Sequence, residues 1–221
     1  MAVISRNVQC RAVIFDMDGV IVNSEPRHKQ AYLEVCEQIG YGSSHGFIFE
    51  DYVGRPDIDL WTDFLNRHRP KQTLDELLRL KRNLIIDWIR TGNPLFDGIT
   101  DLLKSLSQKY ILGLASGSER PVVNEVLKVQ NLGRYFRATV SANETTRGKP
   151  DPETFLKAAA LLNVPPGDCC VIEDSMPGVA AGLAAGMRVI AITNTHPADD
   201  LSRATHVVNT YDEIERLLGC P

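Results

Sequence analysis

The chain has 221 residues, 43% of them hydrophobic, and its 24 Lys and Arg against 28 Asp and Glu give a formal charge of -4. That balance argues against disorder and supplies enough apolar side chain for one sizeable core plus a smaller module. With no basic run it also argues against nucleic acid, whose phosphate backbone wants clustered cations.

A membrane partner is equally disfavoured. The opening MAVISRNVQC has too short an apolar segment for a signal peptide, and the apolar stretch from Met176 to Ile192 is interrupted by Arg188. Cys10, Cys36, Cys169, Cys170 and Cys220 are odd in number and lack CxxC or Cys/His ligand spacing. They read as reduced thiols of a cytoplasmic protein, expected to act as a monomer.

In chain order, Ala12 to Phe15 is a short apolar run suited to a strand buried on both faces, and it stops at Asp16. Side chains two apart in an extended chain point the same way, so Asp16 and Asp18 are expected to present both carboxylates to one small volume. Two adjacent anions repel, which is costly as decoration and useful as an acid beside a base or nucleophile. Gly19 permits a tight turn before Val20 to Val22.

The pattern then turns helical. Pro26–Ile39 is expected to be a helix stopped by Gly40, Tyr41–Pro56 a glycine-rich loop with a short helical turn, and Asp57–Arg67 a second helix. Leu74–Arg90 carries Leu74, Leu77, Leu78, Leu84, Ile85, Trp88 and Ile89 on one broad face. After the break at Thr91–Pro94, Asp97 offers an N-cap for a helix through Leu106.

From there strands and helices alternate. Strands are expected at Tyr110–Ala115, Arg137–Ser141, Cys169–Ile172, Val189–Ile192 and His206–Val208. Helices are expected at Glu119–Val129 capped by Ser118, Asp151–Leu162 with Asp151 as N-cap and Pro152 at N1, Met176–Ala185, and Tyr211–Leu218. Such alternation implies an α/β fold with a doubly wound parallel sheet. The expected boundaries are a core of residues 1–22 and 95–221, interrupted by an α-helical insert at 23–94. Short turn-rich connections at Asn23–Ser24 and Thr91–Pro94 suit a hinge.

Open parallel sheets bind ligands beyond the carboxyl ends of their strands. Asp16 with Asp18, Ser116, Lys149, and Glu173 with Asp174 all fall there. Singly, each has an ordinary reading as a turn hydroxyl, a solvated cation or a helix-terminal charge. Together, four carboxylates against one lysine call for a hard divalent cation, and magnesium suits an all-oxygen site that also accepts phosphate. Gly178, Gly182 and Gly186 form GxxxG spacings, read as close packing of a helix on the sheet.

These residues resemble the haloacid dehalogenase superfamily over nearly the whole chain: DMDGV at Asp16–Val20, ASGS around Ser116, KPDPETF at Lys149–Phe155 and VIEDSMPGVAAGLAAGM at Val171–Met187. The helical insert resembles the cap of the subgroup with beta-phosphoglucomutase, phosphoglycolate phosphatase and sugar phosphatases. NSEPRH at Asn23–His28 looks like that subgroup's extension of the first motif, with Asn23 where Asp is common.

The resemblance implies Asp16 as nucleophile, Asp18 as general acid and base, and Ser116, Gly117 and Lys149 as phosphate-binding residues. It implies Mg2+ held by Asp16, the backbone carbonyl of Asp18, Glu173 and Asp174. Asp18 favours phosphoryl transfer over carbon–halogen cleavage. On the cap, the resemblance points to Ser24, His28, Arg55 and Lys81 as substrate residues. The expected activity is that of a phosphatase of a small phosphorylated metabolite, plausibly a sugar phosphate, with a beta-phosphoglucomutase-type mutase as runner-up. A phosphoacceptor signalling module is remote, since receiver domains lack a helical insert after the first strand.

Overall fold

The computed structural model describes residues 10–52 and 57–219, with Glu50 described by its backbone alone. Arg55 and Cys220 therefore lie outside the described residues. In chain order the elements are β1 (Ala12–Phe15), α1 (Glu25–Gln38), two short 3-10 turns (Gly42–His45 and Phe49–Tyr52), α2 (Asp57–His68), α3 (Leu74–Thr91) and α4 (Ile99–Leu106). They continue with β2 (Ile111–Ala115), α5 (Arg120–Lys128), β3 (Phe136–Val140), α6 (Glu153–Leu162), β4 (Cys169–Glu173), α7 (Met176–Ala184), β5 (Arg188–Ile192), β6 (His206–Val208) and α8 (Tyr211–Leu217). The chain divides into two compact units, Met1–Asn23 with Pro94–Pro221, and Ser24–Asn93.

The first unit is built on a six-stranded sheet ordered β3-β2-β1-β4-β5-β6, with every neighbouring pair parallel. Parallel neighbours need crossovers, and the helices between the strands supply them. All four residues of β1 are buried, so both faces of the sheet are covered. Ala12, Ile14, Val171, Val189 and Ala191 share one face and pack with Phe155, Ala158 and Leu162 of α6 and Val179 and Ala181 of α7. Val13, Phe15, Cys170 and Ile190, which alternate with them, are buried on the opposite face. This explains why the sequence reads as continuous apolar runs rather than alternation. Among the described residues no helix is long and apolar enough to cross a membrane.

After β1 the chain folds tightly back. The amides of Ile21 and Val22 both donate to the carbonyl of Met17 at 2.8 and 3.0 Å, and the amide of Gly19 donates to that of Val22 at 2.8 Å. The amide of Asn23 then donates to the carbonyl of Pro94 at 2.8 Å, and Val22 bridges Leu95, so the strands leading out of and back into this unit run side by side.

The second unit is helical. Tyr32, Val35 and Cys36 of α1 pack with Leu60, Trp61 and Phe64 of α2 and Leu77 of α3. Thr73 and Glu76 form a reciprocal capping box at the start of α3, worth about 1 kcal/mol for the threonine cap.

Three expected helix starts are corrected by the structure. Gly98, at φ +84°, caps α4 instead of Asp97. Glu119 stands at the N-cap of α5, and Ser118 makes no cap because its hydroxyl is used elsewhere. Pro152 occupies the N-cap of α6 with helical dihedrals, so the helix begins at Glu153; the Asp151 carboxylate accepts from the Glu153 amide at 3.0 Å.

Candidate active site

Asp16 follows β1 and Glu173 ends β4, its immediate neighbour in the sheet, so two acids arrive side by side at the carboxyl edge. Asp174 comes next along the chain. One oxygen from each of Asp16, Glu173 and Asp174 lies within 4.8 Å of the others, and all three side chains are buried. Lys149 sits between two of them, its Nζ donating to Asp16 Oδ1 at 2.5 Å and to Glu173 Oε1 at 2.6 Å.

The other oxygen of Glu173 accepts three bonds, from the amides of Asp174 and Ser175 at 2.8 Å each and from the Ser175 hydroxyl at 2.9 Å. Glu173 is thereby fixed at the start of α7, where the helix dipole favours its charge. The three glycines in and just after α7 differ in what they do. A Cβ on Gly178 would fall 1.7 Å from Glu173 Oε1, and one on Gly182 would fall 2.7 Å from Val189 Cγ2 on the sheet. The expected packing role thus belongs to Gly182, while Gly178 makes room for a site carboxylate. Gly186, at φ +74°, ends the segment in the left-handed region.

The electrostatics show uncompensated negative charge. Burial pushes the Asp16 carboxyl up to about 7; Lys149 opposes this, and the nearby Glu173 and Asp18 carboxylates add to it. Burial, then Glu173 and Asp16, push Asp174 up to about 8 against the Thr195 hydroxyl and Lys149. Burial works against the charge on Lys149, but Asp16 and Glu173 outweigh it and hold the ammonium more firmly protonated than usual. A hard cation with oxygen ligands answers that excess, and the three carboxylates fit one.

Asp18 is near enough to add to the upward push on Asp16, and its Oδ2 accepts a bond from the Ser118 hydroxyl at 2.7 Å. Ser116 follows β2 directly and is fully buried; its hydroxyl accepts the Ser118 amide at 2.9 Å, which curls the Ser116–Gly117–Ser118 loop. A Cβ on Gly117 would meet nothing within 4 Å.

Three participants were missed from the sequence. The Thr195 hydroxyl donates to Asp174 Oδ2, Asn194 Nδ2 donates to the carbonyl of Gly19 at 2.8 Å, and the Tyr211 hydroxyl donates to that of Val20 at 2.7 Å. Asn194 and Thr195 follow β5, so the rule that located Ser116 and Asp174 would have found them.

In the helical unit, Ser24 precedes α1, and its carbonyl accepts the amides of Arg27 and His28 at 2.9 Å each. Lys81, expected among substrate residues, is instead enclosed, being 1% exposed. Its ammonium donates to both oxygens of Asp57 at 2.6 Å, lies 2.8 Å from His28 Nδ1, and sits 4.3 Å from the centre of the Tyr32 ring. Those contacts saturate a lysine, so its work is done inside the unit.

Fold and site together define a hydrolase built on a doubly wound parallel sheet. A family model described as a haloacid dehalogenase-like hydrolase matches residues 10–186, and the chain belongs to that family. It is 32% identical over 196 residues to hexitol phosphatase B of Escherichia coli strain K12, covering 87% of each chain. It is also 32% identical over 195 residues to the beta-phosphoglucomutase of Bacillus subtilis strain 168, covering 85% of each. The solved beta-phosphoglucomutase of Clostridium difficile superposes with a TM-score of 0.75 at 26% identity, covering 95% of this chain and 97% of that one.

Proposed function

We propose that this protein is a magnesium-dependent phosphatase of a small phosphorylated metabolite, a sugar phosphate, working through an aspartyl phosphate. The observation that carries the reading is the buried group of Asp16, Glu173 and Asp174 bridged by Lys149 at the carboxyl ends of β1 and β4. The hexitol phosphatase relative supports the substrate class.

Asp16 is the nucleophile. Its Oδ1 is oriented by Lys149, whose charge also offsets the charge that develops on the phosphoryl oxygens. Asp18 protonates the leaving oxygen and then takes a proton from the attacking water; its bond from Ser118 holds the carboxyl in place for both duties. Ser116 and the Gly117 amide bind phosphoryl oxygens. Asp16, Glu173, Asp174 and the backbone carbonyl of Asp18 would hold Mg2+. When bound, magnesium supplies Lewis-acid neutralisation of the phosphoryl group. Ser24, His28 and Arg55 of the insert read the leaving group, and Lys81 fixes the ring of His28. Screening phosphorylated sugars and hexitols for released phosphate, with and without magnesium, tests this. A silent screen under both conditions refutes it.

The equal identity to a beta-phosphoglucomutase favours a second reading, an intramolecular phosphomutase. Phosphorus NMR on beta-glucose 1-phosphate with a trace of the 1,6-bisphosphate separates the two. Free phosphate appearing faster than glucose 6-phosphate supports the phosphatase; the reverse supports the mutase.

A further inference from the structure

The loop after β1 and the loop after β4 approach each other tightly in the active site. A Cβ on Gly19, at φ +79°, would lie 1.9 Å from Asp174 Oδ2, so the Gly19 backbone and the Asp174 carboxylate are pressed together. Two adjacent residues from a third loop grip the two sides of this contact. Asn194 Nδ2 donates to the carbonyl of Gly19 at 2.8 Å, and the Thr195 hydroxyl donates to Asp174 Oδ2.

Both grips are themselves supported. Asn194 Nδ2 also lies 3.2 Å from the Tyr211 hydroxyl, which donates onward to the carbonyl of Val20. His196 Nδ1 is 2.9 Å from the Thr195 hydroxyl and 3.1 Å from the backbone carbonyl of Asp174. The loop bearing Asp18 and the carboxylate of Asp174 are thus held in register by one dipeptide that follows β5.

We propose that Asn194 and Thr195 are positioning residues for the divalent-cation site. Thr195 bonds Oδ2 of Asp174 and so fixes the rotation of a carboxylate that would hold the ion, while Asn194 holds the Asp18–Gly19 backbone beside it. The inference rests on the carboxylate group being a magnesium site. A ligand oxygen constrained by an outer hydrogen bond loses less freedom on binding the ion, and removing such a partner typically weakens metal affinity about 10–100-fold.

The test is calorimetric titration of magnesium alone into the metal-stripped, substrate-free full chain. Thr195→Val, which keeps the shape and removes the hydroxyl, is expected to raise the magnesium Kd about tenfold or more, and Thr195→Ser to restore it. Asn194→Ala is expected to shift Kd in the same direction and serves if the valine variant does not fold. The magnesium concentration for half-maximal rate should rise by the same factor. A variant that lowers the melting temperature of the metal-free protein but leaves Kd unchanged overturns the proposal, as does a wild type that binds no magnesium. Weakened binding in a protein that hydrolyses no phosphomonoester would sustain the positioning role while defeating the phosphatase.

Discussion

Replacing Gly178 with alanine adds one methyl group in the place where the structure leaves least room for it. The new Cβ would lie 1.7 Å from Oε1, 1.9 Å from Cδ and 2.3 Å from Oε2 of Glu173. Glu173 cannot swing away cheaply, because it is fully buried and its oxygens hold bonds to Lys149, two amides and the Ser175 hydroxyl. Hydrogen bonds to a charged group contribute about 1.5–3 kcal/mol each, so losing two of these costs about 3–6 kcal/mol. Alanine returns about 1 kcal/mol through helix propensity, leaving a net loss of about 2–5 kcal/mol. For a protein of this size that corresponds to a drop of roughly 4–20 °C in melting temperature. Thermal denaturation by circular dichroism measures it, with Gly167→Ala as control because a Cβ there would meet nothing within 4 Å. A Gly178→Ala protein melting with the wild type would show that Glu173 is not held as described.

Other expectations follow from the same contacts. Asp16 and Asp174 carry folded pKa values near 7 and 8, above their unfolded value of 3.8, so the metal-free protein binds more protons than the unfolded chain between about pH 4 and 8 and loses stability as pH rises through that window. Magnesium competes with those protons, so its gain in melting temperature should be larger at pH 8 than at pH 6; an equal or smaller gain at pH 8 contradicts the charge assignment. In the helical unit, Asp57→Asn leaves the enclosed Lys81 ammonium unpaired and should cost about 3 kcal/mol in urea denaturation. Lys81→Met should cost less, since the Asp57 side chain is 42% exposed and can turn to water; the opposite order would contradict this placement. A chelator should abolish activity and magnesium restore it, whereas calcium, with its larger and looser shell, should not. Full turnover in excess chelator would remove the metal from the mechanism.

The strands were legible because buried parallel strands are written as unbroken apolar runs, as in Ala12–Phe15 and Cys169–Ile172, and their acids were legible because they end those runs. What the pattern missed is long-range. Ser118 reads as a helix cap, and nothing local announces that its hydroxyl belongs to Asp18, one hundred positions earlier in the chain. Lys81 was a readable case passed over. It falls four residues after Leu77 and four before Ile85, and Leu77, Lys81, Ile85 and Ile89 are the buried stripe of α3. Gly178 and Gly182 share a spacing but face different neighbours, a carboxylate and a valine, which only the fold could separate.

The most direct test of the central claim is to trap the covalent intermediate. The enzyme would be mixed with a turned-over sugar phosphate and magnesium, quenched in acid within the first turnover, digested and analysed by mass spectrometry. The account predicts one added phosphoryl group on the peptide containing Asp16, no such adduct in Asp16→Asn, and formation slowed about a hundredfold or more in Asp18→Asn, the usual scale for loss of a general acid. A phosphorylated Asp16→Asn protein, or a wild type carrying its phosphoryl group on another residue, would contradict it.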